Sequence, residues 1–551
     1  MTSRSLARVP CGVSCGGTCA SRWLTSCCAA TRPKAPRYSC IPMDKKPPAW
    51  LSPPASTGSP SKSQASDAPQ YDATNPEEKM TQLDSSIFRK YDIRGIAAGD
   101  APQLTPAVAL LVGKALGTYL PREFGSERVF VGSDNRLTSA PLKAAVIAGL
   151  AATGMSVTDI GEVLTPTVYF ASAAYGEGGA GVMVTGSHLD TRYNGIKMAY
   201  GKLALAGEQI QTLLQVIHDR AFATGSGEVT RDFDLIHRHM AAIQSKVTMA
   251  RGMKVVLDAG NGLSGTYIPP VLRALGLDVE CLYCEPDGTF PNHLPNPEDP
   301  EMTRDLEAKV LALNADLGLA FDGDSDRCGF IDNRGHHIAA DRLLALLARD
   351  LLSRHPNTPV VFDVKASQAL PDEIRKYGGI PVMWKSGHSL MKQKMNEIGS
   401  LLGGEVSGHL FIGEDYFGFD DAPLVALKTL EIISQSERSI AEIFDDIPKL
   451  VATPEIVLSA PDELKFTMID EMTTRLQSQY EVVTVDGARV LFEHGWGLVR
   501  ASNTQPAVTL RFEAYTREQI AAYLQVFKAQ LDLYPQIDQS NFLAQVEAFA
   551  G

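Results

Sequence analysis

Apolar residues alternate along the chain between two rhythms. Short continuous runs, as in RVFVGSD from Arg128 to Asp134, VMV at 182–184, MKVVLD from Met253, LGLAF at 317–321 and TPVVFD from Thr358, read as buried strands. The stretches that follow three of them, SAPLKAAVIAGLAATG, GLSGTYIPPVLRALG and ASQALPDEIRKYG, carry apolar residues at helical spacing. The strand, turn and helix plan so appears three times, and it predicts an α/β fold of related units with mainly parallel sheets covered by helices. Joints between units are expected near Asp232 to Leu235, His336 to Ala340 and Lys449 to Pro454. In such folds ligands sit beyond the carboxyl ends of the strands, so the residues at those ends set the chemistry.

The strand at 182–184 breaks at Thr185, Gly186 and Ser187, followed by His188 and, across a polar loop, Asn194, Gly195 and Lys197. A hydroxyl at a strand mouth is placed to act as nucleophile or phosphate carrier, although an ordinary turn has the same look. The strand at 317–321 ends in Asp322, Asp324 and Asp326 with Arg327 directly after. Carboxylates at alternate positions repel one another unless a cation holds them, and an all-oxygen set suits Mg2+. A solvated acidic turn is the bland alternative; a calcium loop of the EF-hand type lacks its glycine and terminal glutamate here. Two further clusters lie in the third unit: Lys385, Gly387, His388, Ser389 and Lys392, then Glu405, Ser407 and His409 on a glycine-bounded loop suited to sugar hydroxyls or to a plain hairpin tip. Near the end, two strands flank Arg500, Ser502, Asn503 and Thr504, with Arg511 on the second, a set suited to a phosphate cradle, with a plain β-hairpin as the bland alternative.

Composition narrows the class. The chain has 551 residues, enough for two to four cores, with 44% hydrophobic and 21% charged residues. Its net charge of -13 argues against nucleic acid or an anionic membrane as partner. No apolar run reaches membrane-span length. The opening stretch differs in kind: up to Ser66 nine lysines and arginines face one acid, Asp44, and Cys11, Cys15, Cys19, Cys27, Cys28 and Cys40 lie among Ser, Pro and Gly. Residues 1–80 are therefore expected to form a disordered tail, whether a transit-like leader, a zinc-binding tail or sequence upstream of the true start. The tail cysteines lack paired CxxC spacing, which disfavours zinc. Beyond the tail, Cys281, Cys284 and Cys328 suit a reducing cytoplasm.

Taken together, the motifs resemble those of the α-D-phosphohexomutase superfamily, most closely its bacterial phosphomannomutase/phosphoglucomutase branch. The family's phosphoserine loop, TASHNP followed by NGxK, matches Thr185, Ser187, His188, Asn194, Gly195 and Lys197; its metal loop DGDxDR matches Asp322 to Arg327 without a gap. Its sugar loop GEMSGH matches Gly404 to His409, and its phosphate loop RxSNTxP matches Arg500 to Pro506. The resemblance runs from about Ile87 to the end of the chain. It implies four domains around a central cleft, at residues 81–233, 234–337, 338–450 and 451–551, the first three α/β and the last α+β.

By that resemblance the enzyme moves a phosphoryl group between the 1- and 6-positions of mannose and glucose phosphates through a bisphosphorylated sugar. Ser187 would carry the phosphoryl group and bind Mg2+ with Asp322, Asp324 and Asp326, after priming by glucose 1,6-bisphosphate or mannose 1,6-bisphosphate. His188, Arg94, Lys197, His388 and His409 are the expected proton-transfer and charge-stabilising groups. Tyr91, Arg327, Lys365, Glu405, Val406, Ser407, Gly408, His409, Arg500, Ala501, Ser502, Asn503 and Thr504 would contact the hexose phosphate, and the enzyme is expected to be a cytoplasmic monomer. The match is imperfect at Gly186, where alanine is usual, at Leu189 and Asp190, which replace Asn-Pro, and at Ser133 and Asn135, expected to concern packing. Asp190 is expected to add unfavourable charge near a phosphoserine. Two alternatives follow: a phosphoglucosamine mutase, whose sugar loop usually carries glutamine where Val406 sits, and a non-catalytic sugar-phosphate-binding homologue.

Overall fold

The computed structural model describes residues 83–175, 179–502 and 506–550, all within one compact unit, Met43–Gly551. The expected tail, 1–80, together with Asn503 and Thr504, lies outside the described residues.

Three mixed sheets with parallel centres and one antiparallel sheet organise the chain. In the first, the strands run in the order Ile93–Ile96, Tyr193–Tyr200, Gly179–Val184, Arg128–Ser133, Ser156–Glu162 and Val229–Arg231. Gly179–Val184 is buried at every position, as its continuous apolar composition requires, and lies parallel to Arg128–Ser133. The second sheet places Leu317–Phe321 parallel to Lys254–Asp258, which is parallel to Asp278–Leu282. In the third, Pro359–Asp363 lies between Ile380–Trp384 and Leu402–Gly404, parallel to both. Each central strand ends at one of the clusters picked out in the sequence: Ser187 follows Val184, Asp322 follows Phe321, Lys365 follows Asp363 and Glu405 follows Gly404.

The last domain is built differently. Its long strands Gly495–Ala501 and Ala507–Ala514 pair antiparallel, with the helices Asp462–Gln477 and Arg517–Leu531 packed on the sheet. The cores follow this division. One apolar core runs without a break from Phe130 in the first domain through Val255 and Phe321 to Leu344 and Phe444 in the third. A separate core, around Met468, Phe512 and Phe527, belongs to the last domain. A buried polar knot stitches the first three together: His239 contacts Thr167 Oγ1 at 2.9 Å and Asp421 Oδ2 at 2.9 Å, and Tyr416 donates to the same Asp421 oxygen at 2.7 Å. The last domain touches the third through Arg489, wholly buried, which donates to the Val364 and Ala366 carbonyls at 2.6 and 2.9 Å.

Candidate active site

The first, third and last domains line a cleft of about 590 Å³, and the second meets it from behind through Asp322, bonded to Ser187. Of the residues expected at the site, Tyr91, Arg94, Ser187, His188, Lys197, Lys365, His388, Glu405, Ser407, His409, Arg500 and Ser502 line it. Ala501 is buried at the end of its strand behind that wall, and Val406 packs against the central core. Gly408 adopts a positive φ of 93° that turns the sugar loop.

Ser187 has a left-handed backbone, φ 52°, which is costly for a side chain of this kind and has to be enforced by its surroundings. Arg136 supplies the enforcement. Its buried guanidinium donates to the carbonyls of Ser187 at 2.7 Å, Leu189 at 2.6 Å and Asp190 at 2.9 Å, while Asp134 balances its charge. The other face of the guanidinium lies 4.9 Å from the Phe290 ring centre in the second domain. Gly186 makes this approach possible, since a Cβ there would stand 2.5 Å from Arg136 Nε and 2.7 Å from the Tyr193 carbonyl. Thus aimed, Ser187 Oγ donates to Asp322 Oδ2 at 2.9 Å and lies 3.2 Å from His188 Nδ1.

Asp190, expected to bring unfavourable charge near the serine, does line the cleft, but not unpaired. Its carboxylate is part-exposed and is taken up by Arg192, Nε at 3.0 Å and the backbone N–H at 2.9 Å, so the charge is locally neutralised. Asn135, at the second departure, does more than pack: it donates to the Asn261 carbonyl at 2.9 Å and so ties the first domain to the second.

The acidic loop is buried throughout, and ligand oxygens of Asp322, Asp324 and Asp326 lie within 4.8 Å of one another. Burial, with Asp324 and Asp326 alongside, pushes Asp322 up to about 7. Lys197 Nζ reaches Asp324 Oδ2 at 2.6 Å and Asp326 Oδ2 at 2.5 Å. Burial works to lower that ammonium, yet the two carboxylates hold it well above the usual lysine value. Asp324 Oδ1 and Asp326 Oδ1 are buried with no hydrogen-bond partner among the described residues. Two orphaned carboxylate oxygens in one oxygen-rich cluster fit a hard divalent cation such as Mg2+. Arg327 closes the loop, its Nε 3.1 Å from Asp322 Oδ2 and its Nη1 donating to the Ser407 carbonyl of the sugar loop at 3.3 Å.

The histidines divide by charge. Burial and the cations Arg327 and Arg94 hold His188 far below the ordinary histidine range, and burial with Lys392 does the same to His388. Burial also opposes the charged form of His409, but Asp326 and Asp420 outweigh it and raise its pKa. Asp420, absent from the sequence expectations, is the organiser here. It lies 3.1 Å from His409 Nδ1 and 3.6 Å from His388 Nδ1 and accepts from Lys392 at 2.7 Å. A pair of aspartates before a helix, Asp420 and Asp421, is the local trace it left in the sequence; Arg136 and Asp420 both act through partners distant in the chain.

On the sugar-facing side Glu405 accepts from the Gly387 N–H at 2.5 Å, and burial pushes it up to about 7. Lys365 pairs with Glu455 at 3.3 Å and Arg94 with Asp92 at 2.6 Å. Arg500 pairs with Asp486 at 2.8 Å, and Lys465 donates to the Ser502 carbonyl at 2.7 Å.

Comparison with known proteins finds the same plan. Four domain models of phosphoglucomutase/phosphomannomutase match in order: the three alpha/beta/alpha domains over residues 85–224, 236–335 and 339–451, and the C-terminal domain over 457–530. A phosphomannomutase/phosphoglucomutase of Pseudomonas aeruginosa is 47% identical over 455 residues, 82% of this chain and 97% of the relative. A probable phosphoglucosamine mutase of Methanopyrus kandleri is 38% identical over 421 residues, 75% of this chain and 91% of that one. The crystal structure of a phosphoglucomutase/phosphomannomutase family protein from Burkholderia thailandensis superimposes with a TM-score of 0.77 at 38% identity, covering 82% of this chain and 98% of that one. With all four domain models matched in order and near-full-length relatives at this identity, the chain belongs to the phosphoglucomutase/phosphomannomutase family.

Proposed function

We propose that the protein is a phosphomannomutase/phosphoglucomutase that shuttles a phosphoryl group between the 1- and 6-positions of a hexose through phosphorylated Ser187. The observation that carries this reading is the serine hydroxyl held in a left-handed turn 2.9 Å from the acidic loop of the second domain, facing a cleft lined from the first, third and last domains. Asp322, Asp324 and Asp326, with Ser187, would hold Mg2+, which when bound offsets the negative charge of the transferring phosphoryl group. Lys197, anchored on Asp324 and Asp326, adds fixed positive charge beside the serine. His409, oriented by Asp420 and held towards its charged form, adds positive charge beside the sugar, while neutral His188, 3.2 Å from Ser187 Oγ, is the group to take the sugar hydroxyl's proton as the phosphoryl group leaves Ser187. Arg94 on the cleft wall, and Arg327 behind it against Asp322, would stabilise charge.

Glu405 and Ser407, with the backbone of Val406 and Gly408, would grip hydroxyls shared by both orientations of the sugar. Arg500 and the loop through Ala501, Ser502, Asn503 and Thr504, with Lys365 and Tyr91 nearby, would hold the phosphate that is not reacting. The sugar then turns over as the bisphosphate and returns its other phosphate to Ser187. Glucose 1,6-bisphosphate or its mannose counterpart would prime the serine. Nothing in GEVSGH offers a hydrogen bond dedicated to the 2-hydroxyl, so both sugars should turn over within about a hundredfold of each other. Identity of 47% to the Pseudomonas relative against 38% to the Methanopyrus one favours this over the glucosamine reading. The pairing of Asp190 with Arg192 weighs against a non-catalytic homologue.

Side-by-side kinetics with mannose, glucose and glucosamine 1-phosphates test the reading. Conversion of the first two, each lost in Ser187→Ala, is expected; turnover of glucosamine phosphate alone would refute it.

A further inference from the structure

We infer that Asp486 is a carboxylate stand-in for substrate phosphate at Arg500: it occupies the guanidinium between substrates, limits how tightly a phosphate is gripped, and holds the last domain against the third. The inference rests on the reading of Arg500 as holder of the non-reacting phosphate.

One oxygen, Asp486 Oδ2, accepts from Arg500 Nη2 at 2.8 Å and from Arg500 Nε at 3.0 Å. The same oxygen accepts the Ser386 N–H of the third domain at 3.3 Å. The Ser386 carbonyl in turn accepts the Tyr91 hydroxyl of the first domain at 2.8 Å. One residue at the cleft rim, Ser386, thus ties the first domain to the last through its own N–H and carbonyl, and the tie on the last-domain side is the carboxylate that occupies Arg500. Local structure fixes the pairing. Gly487 has φ 82°, and a Cβ there would stand 2.3 Å from the Val499 carbonyl and 2.7 Å from Arg500 Cβ, so the turn carrying Asp486 lies directly on the arginine.

A carboxylate and a phosphate offer a guanidinium the same oxygen-acceptor geometry, and the phosphate dianion offers more charge. Arriving phosphate therefore competes with Asp486 for Arg500, and displaced Asp486 loses its hold on Ser386. The surroundings favour such an exchange. Half-buried Lys90 is depressed first by burial, is supported by Asp486 and is opposed by Lys385 and Arg500, so Asp486 sits as an acid among three basic groups. A mutase has to release the distal phosphate in every cycle for the bisphosphorylated sugar to turn. An arginine without an internal competitor would keep its phosphate through that step.

Inorganic phosphate, used as a competitive inhibitor against glucose 1-phosphate, reads this out on the full-length enzyme. Asp486→Asn should lower the inhibition constant of phosphate by about tenfold and lower KM, with kcat falling rather than rising. Asp486→Ser, which removes the charge with a smaller side chain, should move both constants the same way. Arg500→Ala should weaken phosphate inhibition, and adding Asp486→Asn to it should change nothing further. If Arg500→Ala weakens phosphate while both Asp486 variants leave its inhibition constant unchanged or raised, the stand-in role is overturned and the reading of Arg500 survives. If Arg500→Ala leaves phosphate inhibition intact, the reading of Arg500 fails and takes the inference with it.

Discussion

Arg136 shows how much of a nucleophile's placement can rest on one side chain outside the reacting set. It donates to three carbonyls of the serine loop from one planar fork, a pattern that lysine's point charge cannot reproduce. Arg136→Lys should therefore lower kcat by roughly a hundredfold with little change in KM, since loss of about 1 Å in placement is enough for that. Steady-state kinetics check it; an equal rise in KM would make Arg136 a binding residue. Glu405 gives a pH prediction. Its ordinary value of 4.5 is raised to about 7, first by burial, with His409 opposing and Asp363 adding. The folded chain retains a proton that the unfolded chain releases from about 4.5 upward. Glu405's contribution to stability is thus fully present below about 4.5 and lost as pH rises through about 7. As an acceptor for sugar hydroxyls it works ionised, so kcat/KM should fall as pH drops below about 7. Glu405→Gln should remove that limb from the profile; a limb of the same midpoint in the variant would assign it elsewhere.

At the scale of elements, the sequence was most informative where strands end. Continuous apolar runs marked Gly179–Val184 and Leu317–Phe321, and the polar residues after them were already aligned at one rim. Such signals are local and survive in the order of residues. Arg136, Asp420 and Asp486 were not legible as site residues, because each acts on partners far along the chain or on a backbone conformation that a sequence does not display. The pairing of Asp190 with Arg192 was not legible either: Arg192 lies only two residues on, but the turn that joins them is a feature of the loop's conformation. Gly387 is a case between. Its φ of 131° and the Tyr91 ring 2.5 Å from where a Cβ would sit mean that Gly387→Ala must displace either the loop or the tyrosine. KM should rise about tenfold or more, as the Glu405 contact to the Gly387 N–H shifts with it. An unchanged KM would show that this loop is free of the sugar.

Across the whole molecule, one continuous core joins the first three domains, the first domain has a further core of its own around Val112 and Val182, and another serves the last domain. The first three domains share packing that keeps Ser187, the acidic loop and the sugar loop in fixed relation, while the last meets the third through Arg489 and a small cluster of Val364, Trp496 and Leu498. His239→Ala, which takes one of its partners from Asp421 and from Thr167 and leaves a cavity in that shared core, should cost about 3 kcal/mol. Hydrogen exchange should register the loss in the first three domains and leave the helix Arg517–Leu531 protected as before; uniform loss would mean that the shared core and the last domain's core unfold as one. The account as a whole stands on Ser187 as phosphoryl carrier, and intact-mass analysis after incubation with glucose 1,6-bisphosphate tests that most directly. One phosphate added to the wild type, mapped to Ser187 and absent from Ser187→Ala, is the predicted result; an unmodified wild type, or equal phosphate on Ser187→Ala, would contradict it.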